Sequence, residues 1–305
     1  MPETLRACHC PPALPATCAA LERAGGRAVD LGLEELALFA ICFDTAQILT
    51  TNHGALVEGR GGYAALQRTG TPLRLNPRRP AIRVQGWRAL PVLLSPAGAD
   101  GPAALSVAAG DGRIQHRIQI AGDDLIRAET LPHLAATPTA APLRPRPDNV
   151  FSLVELRQRR ATWAQLSMAD RIDDILHDGG AARCAYLPLI GAGARRVQPQ
   201  ILPSFIRYLC RQNRSIAVTV PVDGMAQTLL GDALRCGTLG PMILCDTTSG
   251  RFALDPAHIA SLWVTRHGAD AALELYDAHH TCLAILHAPP CPTWASYLEA
   301  MPSTL

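Results

Sequence analysis

The chain has 305 residues, 48% of them hydrophobic and 18% charged, enough to bury a core without disulfide or metal staples. All 28 basic residues are arginine, which excludes Schiff-base chemistry, a lysine general base and a Walker-type phosphate lysine. They meet 26 carboxylates for a net charge of +2, and the Arg-Arg pairs at 78, 159 and 195 are scattered, so the basic footprint of a nucleic-acid binder is missing.

The N-terminal segment carries Pro2, Pro11, Pro12 and Pro15 and no uninterrupted apolar stretch, which argues against a signal peptide. No apolar run reaches the ~20 residues of a membrane span. Ten cysteines, among them Cys8 and Cys10 around His9, form no Cys-x-x-Cys pair and read as reduced thiols in the cytoplasm. Short apolar stretches at 81–84, 90–94, 103–108 and 113–120, cut by Gly, Pro and Asp, predict strands, and a helical pattern follows at 123–134. Residues 136–149 hold four prolines and predict a linker, dividing the chain into halves at 1–135 and 150–305. Apolar residues at three- and four-residue spacing then predict helices over 153–166, 168–177, 181–189 and 201–211. The glycine-rich 191–196 reads as a loop, because a dinucleotide turn would need a third glycine and a βαβ unit. Strands are predicted at 215–220, 242–245, 259–266, 271–276 and 282–287, with a closing helix at 293–301.

Residues 103–120 align without a gap on 271–288, each a strand, a polar turn and a strand. A helical segment follows both, and a tryptophan-bearing strand is expected before both, carrying Trp87 and Trp263. The expectation is an α+β protein of two pseudo-repeated halves, each an antiparallel β-sheet with flanking helices.

From Leu156 onwards the sequence resembles the bacterial haem-utilisation, or hemin-degrading, factors of the HemS type. The likeness is carried by Ile259-Ala-Ser-Leu-Trp-Val-Thr-Arg266, Leu273-Glu-Leu-Tyr-Asp-Ala278, Leu283-Ala-Ile-Leu286 and Trp294. A second stretch, 163–183, resembles the family's Trp-Ala-x-Leu-x-Asp-x-His segment and the apolar helix after it. The resemblance implies a cytoplasmic haem-binding protein of iron utilisation, trafficking or storing haem, with haem degradation as a further activity of some members. It implies haem or a related tetrapyrrole as ligand, haem donor or acceptor proteins as partners, a monomer or homodimer, and neither nucleic acid nor membrane insertion.

Carried over residue by residue, the family's ligand histidine falls on Asp170, and a carboxylate is a poor substitute for imidazole on haem iron. The family's lysine becomes His267, its strand-end tyrosine His287 and its following arginine Pro290, while Arg266 and Arg83 match family arginines. His287, His267, Arg266 and Arg83 are therefore the candidate haem contacts, with His287 as candidate iron ligand. His177, close to two turns beyond Asp170, is the other candidate ligand. A histidine in place of lysine at 267 predicts affinity that weakens above about pH 7. Cys10-Pro11 and Cys291-Pro292 are chance-level haem dipeptides, and Cys291 lies nearest the presumed site. His116 reads as a structural mid-strand histidine, and His279 and His280 as exposed turn residues. The alternative reading is a divergent relative that has lost haem binding and acts through protein contacts or on another small ligand, supported by Asp170.

Overall fold

The computed structural model describes residues 17–29, 31–85, 90–97, 102–121, 124, 153–267, 270–288 and 292–303. The linker at 136–149, Trp87, most of the 123–134 segment, Pro290, Cys291 and the cysteines before residue 17 lie outside these. The first half runs α1 (Cys18–Arg23), β1 (Arg27–Val29), α2 (Leu33–Ile41), β2 (Gln47–Thr51), β3 (Ala55–Arg60), β4 (Leu66–Arg68), β5 (Ala81–Val84), β6 (Val92–Ser95), β7 (Ala104–Ala108) and β8 (Ile114–Gln119). The second runs α3 (Leu153–Thr162), α4 (Met168–Asp178), α5 (Ala181–Ile190), β9 (Ala194–Val197), α6 (Leu202–Arg211), β10 (Ser215–Val222), β11 (Met225–Leu239), β12 (Met242–Thr247), β13 (Gly250–Leu254), β14 (Ser261–His267), β15 (Asp270–Tyr276), β16 (Cys282–His287) and α7 (Pro292–Glu299).

The strands form one continuous path, β1-β6-β7-β8-β2-β3-β13-β12-β11-β10-β16-β15-β14-β9, with β4 and β5 attached beside β11. Read inward from its two ends, this order repeats itself: β1, β6, β7, β8, β2, β3 against β9, β14, β15, β16, β10, β11. The match extends to register. In β7–β8 Leu105 faces Ile118 and the pairing slips between Val107 and Ala108; in β15–β16 Leu273 faces Leu286 and it slips between Leu275 and Tyr276. These are aligned positions in the two sequence copies, so the internal repeat holds down to the bulge.

The halves also interlock. β13 of the second half pairs with β3 of the first, and β5 of the first pairs with β11 of the second. Each half thus supplies a strand to its partner's sheet, and the second-half core takes in Ala55 and Val57 from β3.

Register also corrects one expectation. Trp263 pairs with Glu274 in β14–β15, and the residue in the equivalent place in β6–β7 is Leu93, opposite Ser106. Leu93, not Trp87, is therefore the counterpart of Trp263. The glycine-rich 191–196 likewise gives rise to β9, which pairs with β14 along Ala194–Val197.

Local signals explain the helices that frame the site. Ser167 caps α4 and forms a reciprocal capping box with Asp170, and Gly179 ends the helix in the left-handed region at φ 77°. Ile172, Ile175 and Leu176 line its buried face against Leu187 of α5 and Tyr276 and Ile285 of the sheet. In α6, Leu202, Phe205, Ile206 and Leu209 repeat at helical spacing and seal the second-half core. No described helix is long and apolar enough to cross a membrane.

Candidate functional site

Behind α4 and α5 the sheet carries a buried charged cluster. Glu274 points from β15 and is fully buried. Arg183 of α5 holds it with a two-pronged ion pair, Nε and Nη2 each 2.8 Å from a carboxylate oxygen. Thr265 and Tyr276 donate their hydroxyls to it at 2.6 and 2.7 Å, and Arg171 Nε of α4 lies 3.5 Å away. Burial raises the Glu274 pKa, but Arg183 and then Arg171 and Thr265 outweigh it, so the carboxyl sits well below the usual carboxylate range. Burial pulls Arg171 down to about 10, which Glu274 opposes, and leaves it charged at neutral pH. Its Nε and Nη2 have no hydrogen-bond partner, an uncommon state for a buried guanidinium.

His267 belongs to this cluster. Nδ1 donates to the Trp163 carbonyl at 2.8 Å, and Nε2 accepts from Arg183 Nη2 at 2.9 Å. Trp163 stacks on the ring at 4.0 Å and also lies under the Arg183 guanidinium. Burial, then Arg171 and Arg183, lower its pKa to about 3.

In front of the helices, a cleft of about 400 Å³ separates the first-half segment at Thr69, Gly70 and Gln85 from α4 and α5. The exposed imidazole of His177 lines it, with Asp173, Asp174, Asp178, Arg183 and Tyr186. The acidic side chains are engaged. Asp173 binds Arg83 through two oxygens, the Nη2 contact at 2.6 Å; Asp174 accepts from Tyr186 at 3.0 Å; and Asp178 accepts from the amides of Gly180 and Ala182. Gln85 Oε1, buried at this wall, has no hydrogen-bond partner, and neither has the buried Nη1 of Arg83, which lies behind Asp173.

No family model and no curated protein sequence matches the chain. Solved structures do. The apo form of PhuS, described as a heme-binding protein from Pseudomonas aeruginosa, superposes with a TM-score of 0.76 at 19% identity, covering 93% of this chain and 90% of PhuS. Its holo form gives 0.75 at 20% identity, covering 93% and 89%. ChuS, described as an E. coli heme oxygenase, gives 0.72 at 17% identity, covering 92% and 90%. The chain has the HemS-type fold.

Within that fold the sequence-predicted residues part company. His287 is buried at the end of β16, paired with Ala217 and Ala272, with Nε2 3.5 Å from Thr219 Oγ1 and its pKa lowered by burial to about 3. Arg266 lies on the outside, ion-paired with Glu299. His267 has both ring nitrogens committed, so it has no lone pair for iron, and it stays neutral over the range in which position 267 was expected to titrate. The affinity loss above about pH 7 expected from it therefore has no basis in this geometry. Asp170 is spent on the capping box, with its carboxyl lowered chiefly by the Ser167 hydroxyl and amide. Of the candidates only His177 lines the cleft, and Arg83 is buried beside it, bound to the lining residue Asp173.

Sequence reasoning passed over Arg171, Arg183 and Glu274. A signal was present: Glu274 interrupts a strand whose six other residues are Asp, Ala, Leu and Tyr, and Arg171 stands on the apolar face of α4. A lone charge in a buried pattern calls for an opposite charge elsewhere, but the partner cannot be located without the fold.

Proposed function

We propose that this protein binds haem or a related tetrapyrrole in the cleft between the first-half segment and α4–α5, with His177 as the iron ligand. The observation that carries this reading is an exposed imidazole at the mouth of a cleft large enough for a cofactor, in the fold of proteins described as haem-binding. The lining residue that fits the group is His177, whose exposed imidazole can ligate the iron. The ligand position has moved about 10 Å along α4, from Asp170 to His177.

Bound haem supplies a redox-active iron whose behaviour follows its axial ligand and its shielding from solvent. An imidazole exposed at an open mouth suits reversible capture and release, whereas oxygen chemistry needs a closed, shaped distal pocket. Haem carriage within iron utilisation is therefore the reading, in the cytoplasm on the usage of cysteine. The competing reading, loss of haem binding, is favoured by Asp170 in its capping box and by the committed nitrogens of His267.

Titration with hemin, followed at the Soret band, separates them. The parent protein is expected to give a saturable one-to-one shift, with His177→Ala weakening it at least ten-fold and His267→Gln leaving the iron spectrum unchanged. No saturable shift in the parent protein establishes the competing reading, and a shift unaffected by His177→Ala removes the assigned ligand.

A further inference from the structure

Gln85 follows β5 directly, and its backbone is fixed: its amide donates to the Gly224 carbonyl at 2.9 Å, one step beyond the pairing of Val84 with Met225. Side chains alternate along a strand, so Ile82 and Val84 enter the first-half core while Arg83 and Gln85 face the other side, toward α4. There the two part. Arg83 is engaged by Asp173 and by the Thr71 carbonyl. Gln85 lines the cleft and is only 3% exposed, yet its Oε1 has no hydrogen-bond partner and its Nε2 has none among the described residues.

An amide buried without partners destabilises the fold, and an apolar side chain of the same length would not. The rest of the lining is committed. Asp173 also accepts the Gly70 amide at 2.8 Å, Asp174 accepts from Tyr186, Asp178 holds two backbone amides, and Arg183 is bound to Glu274. The charges are opposed in place, with Arg83 on Asp173 and Arg183 Nη1 3.5 Å from Asp174. Gln85 therefore brings two unused N–H donors to the wall across the cleft from the His177 imidazole.

We infer that Gln85 is a specificity-determining residue of the cleft, donating an N–H to a carboxylate on the edge of the bound macrocycle. This rests on the haem reading above and adds to it a contact from the first half, so that both halves contribute to the site. An N–H donated to a carboxylate is a charge-assisted bond, stronger in a buried wall than in water. Its gain on binding offsets the cost that the unpaired amide imposes on the free protein.

Two measurements test this. Without ligand, Gln85→Met keeps the length and removes both polar atoms, and it is expected to raise the urea midpoint or leave it unchanged. With ligand, titrations with hemin and with hemin dimethyl ester are followed at the Soret band. The parent protein is expected to bind hemin about ten-fold more tightly than Gln85→Met does, and the two are expected to bind the ester within about two-fold of each other. Gln85→Glu sets a carboxylate against a carboxylate and is expected to weaken hemin further at neutral pH. A lowered urea midpoint in Gln85→Met means that the amide serves the fold, and it overturns the inference whatever hemin does. Equal hemin affinity in the parent and Gln85→Met, an equal loss with hemin and its ester, or tighter hemin binding by Gln85→Glu overturns it and leaves the haem reading standing. No saturable binding by the parent protein removes the haem reading and this contact with it.

Discussion

In β7–β8, Ser106 stands opposite Arg117; in β15–β16 the equivalent residue is Glu274, opposite Ile285. Backbone register, bulge and neighbouring strands are the same, yet the interiors differ. Beside Arg117 the first half carries a neutral chain that reaches Gln227 of β11: Tyr63 donates to His116 Nε2 at 2.6 Å, His116 Nδ1 donates to Thr50 at 2.7 Å, and Thr50 donates to Gln227 at 2.6 Å. The second stores two arginines and a glutamate. A repeated backbone fixes where a polar side chain can be buried, and side-chain identity decides whether that position carries hydrogen bonds or charge. The charged version lies behind the helices that line the cleft, which supports them electrostatically from the sheet side.

The largest expected effect tests the charged member of this pair. Glu274→Gln keeps the shape but removes the carboxylate nearest Arg171 and leaves Arg183 only the more distant Asp174, 3.5 Å from Nη1, and it is expected to cost about 3–5 kcal/mol, read from urea unfolding. A loss below about 1 kcal/mol would mean that the two interiors differ less than their charges suggest.

Acid sharpens the contrast next. His116, His267 and His287 have folded pKa values of about 3, against about 6.5 for an unfolded chain. The folded state therefore binds them unprotonated, and their stabilisation is complete above about pH 6.5 and lost as pH falls toward 3. Roughly 1 kcal/mol each should be gone by pH 5.5. Glu274, lowered in the folded state, adds a further loss only below about pH 4.5. Urea midpoints at pH 7.5, 6.5 and 5.5 measure this, with His116→Gln expected to remove about one-third of the slope; a flat profile contradicts it.

The smallest expected effect lies at the neutral counterpart. Ser106 Oγ is buried and has no hydrogen-bond partner, so Ser106→Ala should change stability by no more than about 0.5 kcal/mol in either direction. A large loss there would make Ser106 and Glu274 equivalent in weight as well as in position.

Much of the scaffold was legible in advance. The predicted strand at 81–84 has the bounds of β5, and the helices predicted at 168–177 and 201–211 fall within a residue of α4 and α6. Periodicity is local, and Ser167 and Gly179 close the two ends of α4 in the structure. β11 was missed because its environment changes along its length: near Met225 it is buried between β10 and β5, and past the bulge at Ala233 it pairs with β12, with Leu234 exposed. A strand that changes neighbours shows no single period. Of the candidate site, alignment put His267 and His287 at family positions, but both rings turned out to be buried in the interior.

The sequence by itself determined that the protein is α+β and internally repeated, that its basic chemistry rests on arginine alone, and where most elements begin and end. These are properties of composition and short-range spacing. Only the tertiary structure decided that β5 and β13 cross between the halves, that His267 is consumed by Trp163 and Arg183 while His177 faces a cleft, and that Gln85 of the first half lines the same cleft. Such meetings depend on sheet register, and register is set by the burial of whole faces rather than by any one segment.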